Sequence, residues 1–274
     1  MIDWIISPFE FEFMRRALIA SVLVGLICAI FSCFLIVKGW SLMGDAVSHA
    51  VLTGLALAYI SNIPLLIGAF GAGLSCALAT GYIKDHSRVK EDAVLGIMFS
   101  GMFAFGLVLL TKIETEIHLL HVLFGNVLGV GWNDIFQIAV IVLPITAIIS
   151  FKWRDLMLYC FDKKHAQSIG LPVKILHYGL LVFLALTIVA SLKSVGIILV
   201  IAMLIAPGVI GFLLTNTFST MMLIAVSVSL FCCILGTIVS FHLDVATAPL
   251  IVIFQAILFV LALLFSPLKG VIRP

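Results

Sequence analysis

Long apolar runs dominate the chain, and short polar stretches separate them. A helix needs about 20 apolar residues to cross the hydrocarbon core of a membrane, so each uncharged run of that length marks a span. The sequences SNIP at 61–64 and TNTFST at 215–220 are turn signals that divide the two longest runs. The pattern predicts nine spans: 17–37, two within 46–83, 93–111, 135–151, 175–192, two within 194–241, and 245–268.

Composition agrees with this pattern. Of 274 residues, 64% are hydrophobic and 10% are charged, against about 25% charged in an ordinary soluble domain. No soluble protein of this size could bury so much apolar surface. The amino terminus lacks the basic start and short apolar core of a cleaved signal peptide, so we expect it to be retained. The expectation is an all-α, multi-pass membrane protein with about 8–9 helices, folded as one domain over residues 1–274.

The distribution of basic residues predicts the orientation. The segment 117–133 is uncharged but rich in glycine, histidine and asparagine. If it does not cross, one side of the membrane receives 11 of the 15 basic residues: Lys38, Lys84, Arg88, Lys90, Lys152, Arg154, Lys163, Lys164, Lys174, Lys269 and Arg273. Cytoplasmic loops carry such an excess. We therefore expect an outer amino terminus, a cytoplasmic carboxyl terminus, and a re-entrant or surface segment at 117–133 on the outer side.

Two side chains with metal-ligand chemistry lie in an otherwise apolar stretch. Asp45 and His49 are four residues apart, so a helix places both on one face. A carboxylate and an imidazole together suit a divalent first-row metal, and Ser41, Ser48 and Thr53 add hydroxyl groups nearby. Ionisable residues inside spans are costly and therefore indicate function. Other interpretations remain open: a structural hydrogen-bonded pair, an aspartate that caps a helix start near Gly44, or a proton relay.

A second group of polar residues lies near the predicted outer surface. Carboxylates at the mouth of a pathway concentrate cations, so this group is a possible outer pathway. The alternative, an ordinary charged surface loop, is favoured for the two glutamates, while the last two residues lie deeper in the apolar stretch. The group comprises Glu114, Glu116, His118, His121 and Asn126.

The only sizeable predicted cytoplasmic loop, FDKKHAQSIGLPVK at 161–174, favours a short helix that stops at Gly170 before Leu171 and Pro172. Such a helix would either dock a cytosolic partner or touch lipid headgroups.

Several motifs are absent from the sequence. It contains no G-x-x-x-x-G-K-[ST] phosphate-binding loop and no H-E-x-x-H zinc-protease motif. No C-x-x-C pair is present among the six cysteines, and no basic patch with interleaved aromatic residues indicates nucleic acid. We therefore expect neither an enzyme nor a nucleic-acid-binding protein.

Several sequence blocks, taken together, resemble the permease family of bacterial ABC transporters for manganese, zinc and chelated iron. They span most of the chain in the family's order, and the first, which contains GDAVSHA, is highly specific. The blocks are KGWSLMGDAVSHAVLTGLALAY at 38–59, KEDAVLGIMFSGMFAFGLVLL at 90–110, LFGNVLGV at 123–130, FDKKHAQSIGLP at 161–172 and VGIILVIAMLIAPG at 195–208.

The resemblance implies a type II importer bundle, like the vitamin B12 permeases, in the bacterial cytoplasmic (inner) membrane. It implies a second permease chain, identical or paralogous, a cytosolic ATP-binding subunit, and an extracytoplasmic metal-binding protein. Asp45 and His49 would lie on the path of the metal, with no permanently bound cofactor. The coupling helix at 161–172 would contact the ATPase through Asp162, Lys163, Lys164, Ala166, Ile169 and Gly170.

Two questions remain after the resemblance. The span count places Asp45 near the cytoplasmic end of its helix, although Gly39 and Gly44 would allow residues 38–44 to dip into the bundle. Thr53 stands where the family often has proline. The expected cargo is a divalent metal, with manganese or iron favoured over zinc. The competing hypothesis is a proton-coupled secondary transporter that uses Asp45 and His49.

Overall fold

The computed structural model describes residues 7–111 and 127–266. These residues fold almost entirely into α-helices, with one 3-10 turn at Val127–Gly129. The helices are α1 (Glu12–Lys38), α2 (Met43–Ile60), α3 (Leu65–His86), α4 (Glu91–Leu110), α5 (Trp132–Phe161), α6 (Lys163–Ser168), α7 (Val173–Leu214), α8 (Phe218–Leu243) and α9 (Thr247–Phe265).

The described helices agree with the predicted spans and confirm an all-α, multi-pass fold. Eight segments are long and apolar enough to cross a membrane: Glu12–Lys38, Met43–Ile60, Leu65–Lys84, Trp132–Phe161, Val173–Leu192, Ser194–Leu214, Phe218–Leu243 and Thr247–Phe265. The remaining predicted span, 93–111, corresponds to the shorter apolar helix Ala93–Leu109 within α4. The segment predicted to be re-entrant lies mostly outside the described residues.

Helix α7 is a hairpin of two helices that meet at Gly196. This glycine has φ 78° and ψ 167°, a conformation that side-chain-bearing residues avoid. Both halves meet the carboxyl-terminal part of α1, because His177 contacts Trp40 and Gly208 lies against Ser32. His177 is near the start of the first half and Gly208 is near the end of the second. The two halves therefore run in opposite directions, as two separate spans require.

Helix α1 lies at the centre of the bundle. Its side chains Ile27, Phe31 and Phe34 are fully buried and belong to the largest apolar core cluster, to which α2, α5 and α7 also contribute. At the periphery, large apolar side chains such as Phe136 and Phe151 of α5 are exposed. Exposed aromatic residues of this kind are expected where the solvent is lipid, which carries no penalty for apolar surface.

Two glycines bring α2 and α3 into backbone contact. A Cβ atom on Gly54 would lie 2.1 Å from the carbonyl oxygen of Gly68, and one on Gly68 would lie 2.5 Å from the carbonyl oxygen of Gly54. Small residues are common at such crossings because membrane helices associate through close packing rather than through the hydrophobic effect. This contact holds the middle of α2 against α3.

We predict that Gly54→Ala destabilises the protein, because the new methyl group would force α2 away from α3. Overpacking of this kind costs about 1–3 kcal/mol. Thermal unfolding of the detergent-solubilised protein should therefore begin at a lower temperature. Gly71→Ala is the matched control, since a Cβ atom at Gly71 of α3 meets nothing within 4 Å. Equal unfolding temperatures for the two variants would show that the close crossing is unimportant.

Candidate functional site

The turn between α1 and α2 positions the candidate site. Gly39 ends α1 in the left-handed conformation, with φ 78°, and the backbone N–H of Trp40 donates to the carbonyl of Leu35 at 2.7 Å. The carbonyl of Trp40 then accepts the N–H of Met43, the first residue of α2, at 3.0 Å. Because the turn is so short, α2 begins directly beside the end of α1, and Asp45 lies in its first turn.

The structure brings the predicted pair together. His49 Nε2 lies 3.2 Å from Asp45 Oδ1, and the side chains are 25% and 29% exposed, respectively. Leu42, one turn before Asp45, is also exposed. Leu42, Asp45 and His49 thus form a strip along the edge of the bundle. On this single chain, Asp45 and His49 are partly accessible at that edge.

Two aromatic residues of α4 pack against His49. The ring of Phe99 lies 5.3 Å and that of Phe103 lies 5.0 Å from the imidazole, between ring centroids. His49 Nδ1 is buried and has no hydrogen-bond partner among the described residues. These contacts were not predicted from the sequence, although Phe99 and Phe103 are four residues apart and so share one face of a helix.

Packing places the pair at mid-height in the bundle. Gly44 lies against Leu204, near the middle of Ser194–Leu214, and a Cβ atom there would be 2.8 Å from Leu204 Cδ1. The thiol of Cys76, in the middle of α3, donates to the carbonyl of Ala46 at 3.8 Å. Asp45 is therefore level with the centres of its neighbours. The start of α2 therefore lies beside the centres of its neighbours, while its depth in the membrane stays a prediction.

Two of the three nearby hydroxyl groups, those of Ser48 and Thr53, are bonded to backbone carbonyls and not to the pair. Ser48 is fully buried, and its hydroxyl donates to the carbonyl of Gly44 at 2.7 Å. Thr53 donates to the carbonyl of Met102 and so joins α2 to α4. Ser41 precedes α2. Threonine at position 53 thus supplies a contact between helices that proline could not, and α2 continues through it without a break.

Within residues 7–111 and 127–266, no group of three or more His, Cys, Asp or Glu side chains is close enough together to hold a metal ion. The predicted ligands Asp45 and His49 are thus a pair with no third such side chain beside them among the described residues. The predicted outer residues Glu114, Glu116, His118, His121 and Asn126 all lie outside the described part of the chain.

The predicted cytoplasmic helix is present as α6. The carboxylate of Asp162 caps it and accepts the backbone N–H groups of Lys164 and His165 at 2.9 and 3.0 Å. Gly170 has φ 82°, and the N–H of Leu171 donates back to the carbonyl of Ala166 at 3.1 Å. Ala166 is fully buried.

The other predicted contact residues of α6 face outward. Lys163, Lys164 and Ile169 are exposed. The hydrogen bond from the N–H of His165, followed by that from Lys164, lowers the pKa of the Asp162 carboxyl.

The fold is that of a multi-pass membrane protein, and comparison with known proteins identifies it as a permease and gives its family. Residues 10–266 match the ABC 3 transport family. The chain belongs to this family, which confirms the resemblance found in the sequence and the location in the cytoplasmic membrane.

Named relatives cover nearly the whole chain. The chelated iron transport system membrane protein YfeD of Yersinia pestis is 57% identical over 97% of this chain and 89% of the relative. The manganese transport system membrane protein MntB of Synechocystis is 49% identical over 98% of this chain and 88% of the relative. The solved structure of PsaBC from Streptococcus pneumoniae in complex with Fab superposes with a TM-score of 0.86 at 35% identity, covering 98% of each chain.

A more distant structure has the same fold. An inward-facing conformation of a metal-chelate type ABC transporter gives a TM-score of 0.73 at 18% identity and covers 90% of this chain and 84% of the other. At this identity the likeness concerns the fold alone.

We predict that Asp162→Ala unravels α6, while Asp162→Asn preserves it, because asparagine is as good a helix cap as aspartate. Amide hydrogen exchange should be several-fold faster across residues 163–168 in the alanine variant only. Folding lowers the pKa of the Asp162 carboxyl below its ordinary value of 3.8. The stabilisation of α6 by the charged carboxylate is therefore complete above pH 3.8 and is lost as the pH falls through the lowered pKa. Unchanged exchange in Asp162→Ala would contradict the capping role.

Proposed function

We propose that this chain is the membrane-spanning permease of an ATP-driven importer that moves a divalent transition metal into the cytoplasm. Manganese or iron is the favoured cargo, and zinc is possible. The observation that carries this proposal is the Asp45–His49 pair, partly exposed at the edge of the bundle and level with the middle of the neighbouring helices. The names of the two relatives, one for chelated iron and one for manganese, support the choice of cargo.

The geometry of the pair suits a passing cation. His49 Nε2 and Asp45 Oδ1 are within hydrogen-bond distance at 3.2 Å. A metal ion would bind between these two atoms after a small separation of the side chains, and the imidazole proton would then lie on Nδ1. An oxygen and a nitrogen ligand suit manganese, iron and zinc alike. The two ligands therefore give a path for divalent metals without strong selection among them.

The surroundings of His49 favour weak binding. Metal-binding histidines usually donate their second N–H to an acceptor, which orients the ring and strengthens the ligand. His49 Nδ1 instead is buried beside Phe99 and Phe103 without such an acceptor among the described residues. When Nε2 binds a metal, the proton must reside on the unpartnered Nδ1, at a cost in free energy. A weak site releases its ion, which transport requires.

A second permease chain would complete the path. A charged pair that faced lipid would be costly, and Asp45 and His49 are partly exposed on this chain. A second chain, identical or paralogous, that covers this edge would exclude lipid and would contribute up to two further ligands. The metal would then pass between the two permeases, delivered by an extracytoplasmic binding protein.

Energy for transport would come from a separate cytosolic ATPase, since this sequence has no phosphate-binding loop of its own. Helix α6 is the proposed contact. It is short and well capped at both ends, and it presents the exposed side chains of Lys163, Lys164 and Ile169.

We predict that Asp45→Ala and His49→Ala each lower metal uptake by about tenfold or more, as the loss of a metal ligand or its support does elsewhere. The measurement is ATP-dependent uptake of manganese and of iron by proteoliposomes that contain the permease, the ATPase and the binding protein. Ser48→Ala is the matched control, because Ser48 lies in the same turn of α2 but is fully buried and bonded to Gly44.

Two results would overturn the proposal. One is wild-type uptake in both the Asp45 and the His49 variant. The other is uptake that continues without ATP and stops when the proton gradient is removed, which is the behaviour of a proton-coupled secondary transporter.

A further inference from the structure

Four side chains from three parts of the chain meet at the end of the bundle where α6 lies. The hydroxyl of Tyr159 and Nδ1 of His177 are hydrogen-bonded at 2.7 Å. The indole of Trp40 meets the imidazole of His177 edge-on, with ring centroids 5.5 Å apart. The ammonium group of Lys38 lies 4.2 Å from the centre of the Tyr159 ring and 5.7 Å from that of Trp40. We call these four residues the inner cluster.

Two residues of the inner cluster are buried, so the cluster is not part of a lipid-facing aromatic belt. Tryptophan and tyrosine commonly lie at membrane interfaces with their rings among the headgroups. Here, however, Tyr159 is 1% exposed and Trp40 is 2% exposed. Helix α3 closes one side, since a Cβ atom on Gly81 would be 3.2 Å from His177 Nε2. The rings of Tyr159 and Trp40 are therefore enclosed by protein.

The cluster stands between α6 and the metal pair. Tyr159 belongs to the last turn of α5, three residues before the cap of α6, and His177 belongs to the first turns of α7, just after α6. Their hydrogen bond ties together the two helices that flank α6. On the other side, the carbonyl of Trp40 accepts the first N–H of α2 at 3.0 Å, and Asp45 follows within the first turn.

We propose that Trp40, Tyr159 and His177 are positioning residues that transmit movement of α6 to Asp45. The inference rests on the proposed function, in which α6 contacts the ATPase. When α6 shifts, the bonded ends of α5 and α7 move with it as one unit, and His177 displaces Trp40. Because Trp40 connects α1 to α2, its displacement shifts the start of α2 and changes the separation of Asp45 and His49 or the exposure of the pair. ATP hydrolysis is thereby coupled to metal release.

The test uses the complete transporter of permease, ATPase and binding protein in proteoliposomes. Manganese uptake and ATP hydrolysis are measured together, which gives the number of ions moved per ATP. Tyr159→Phe removes only the hydroxyl that bonds His177, and His177→Leu removes the partner. His177→Asn places an amide group near the position of Nδ1 and should restore the bond. Tyr82→Phe is the matched control, because it removes the hydroxyl of a tyrosine that is 65% exposed on α3.

We expect Tyr159→Phe and His177→Leu to hydrolyse ATP at close to the wild-type rate while the ions moved per ATP fall about fivefold, a typical size for changes in coupling. The double variant should be no worse than either single variant, because both changes break one bond. His177→Asn and Tyr82→Phe should retain wild-type coupling.

Two outcomes would overturn the inference. In the first, the ions moved per ATP stay unchanged in every variant. In the second, uptake, hydrolysis and unfolding temperature fall together, which would mean that the inner cluster only stabilises the fold. The wild-type transporter separates these outcomes from failure of the proposed function: if it shows no ATP-dependent metal uptake, the proposed function fails before any variant is compared.

Discussion

A carboxylate in the middle of a membrane-spanning bundle is stable only if it is paired and shielded from lipid. Asp45 meets the first condition through His49 at 3.2 Å, and a second permease chain over the exposed edge would meet the second. In the proposed function, the pairing also prepares the site for a metal ion. A carboxylate that is already directed at an imidazole nitrogen offers a cation two ligands.

Most of the features that surround the pair hold the start of α2 beside the centres of its neighbouring helices. The left-handed turn at Gly39 lets α2 begin beside the end of α1. The contact of Gly44 with Leu204, and the crossing of Gly54 with Gly68, hold its first and middle turns. The bond from Thr53 to Met102 attaches it to α4, whose phenylalanines cover His49. A short turn joins the start of α2, where Asp45 lies, to Trp40 at the end of α1.

Much of this could be predicted from the sequence because membrane spans impose a simple rule on composition. The uncharged runs gave the helices, the spacing of Asp45 and His49 gave the shared face, and the glycine after 161–169 gave the end of α6. The height of Asp45 could not be predicted, since it depends on which residues of α3 and α7 lie opposite. The covering of His49 by Phe99, and the meeting of Tyr159 with His177 and Trp40, are tertiary contacts between distant segments. A single sequence gives no signal for such contacts.

The position of the metal itself is the most direct test. The complete transporter, with its ATPase inactivated so that turnover stops, would be loaded with manganese, and anomalous scattering would locate the ion. We expect a peak about 2 Å from His49 Nε2 and from a carboxylate oxygen of Asp45, with the two side chains moved apart from their 3.2 Å separation. A peak elsewhere in the bundle, with Asp45 and His49 still hydrogen-bonded to each other, would contradict the role of the pair as the site through which the metal passes.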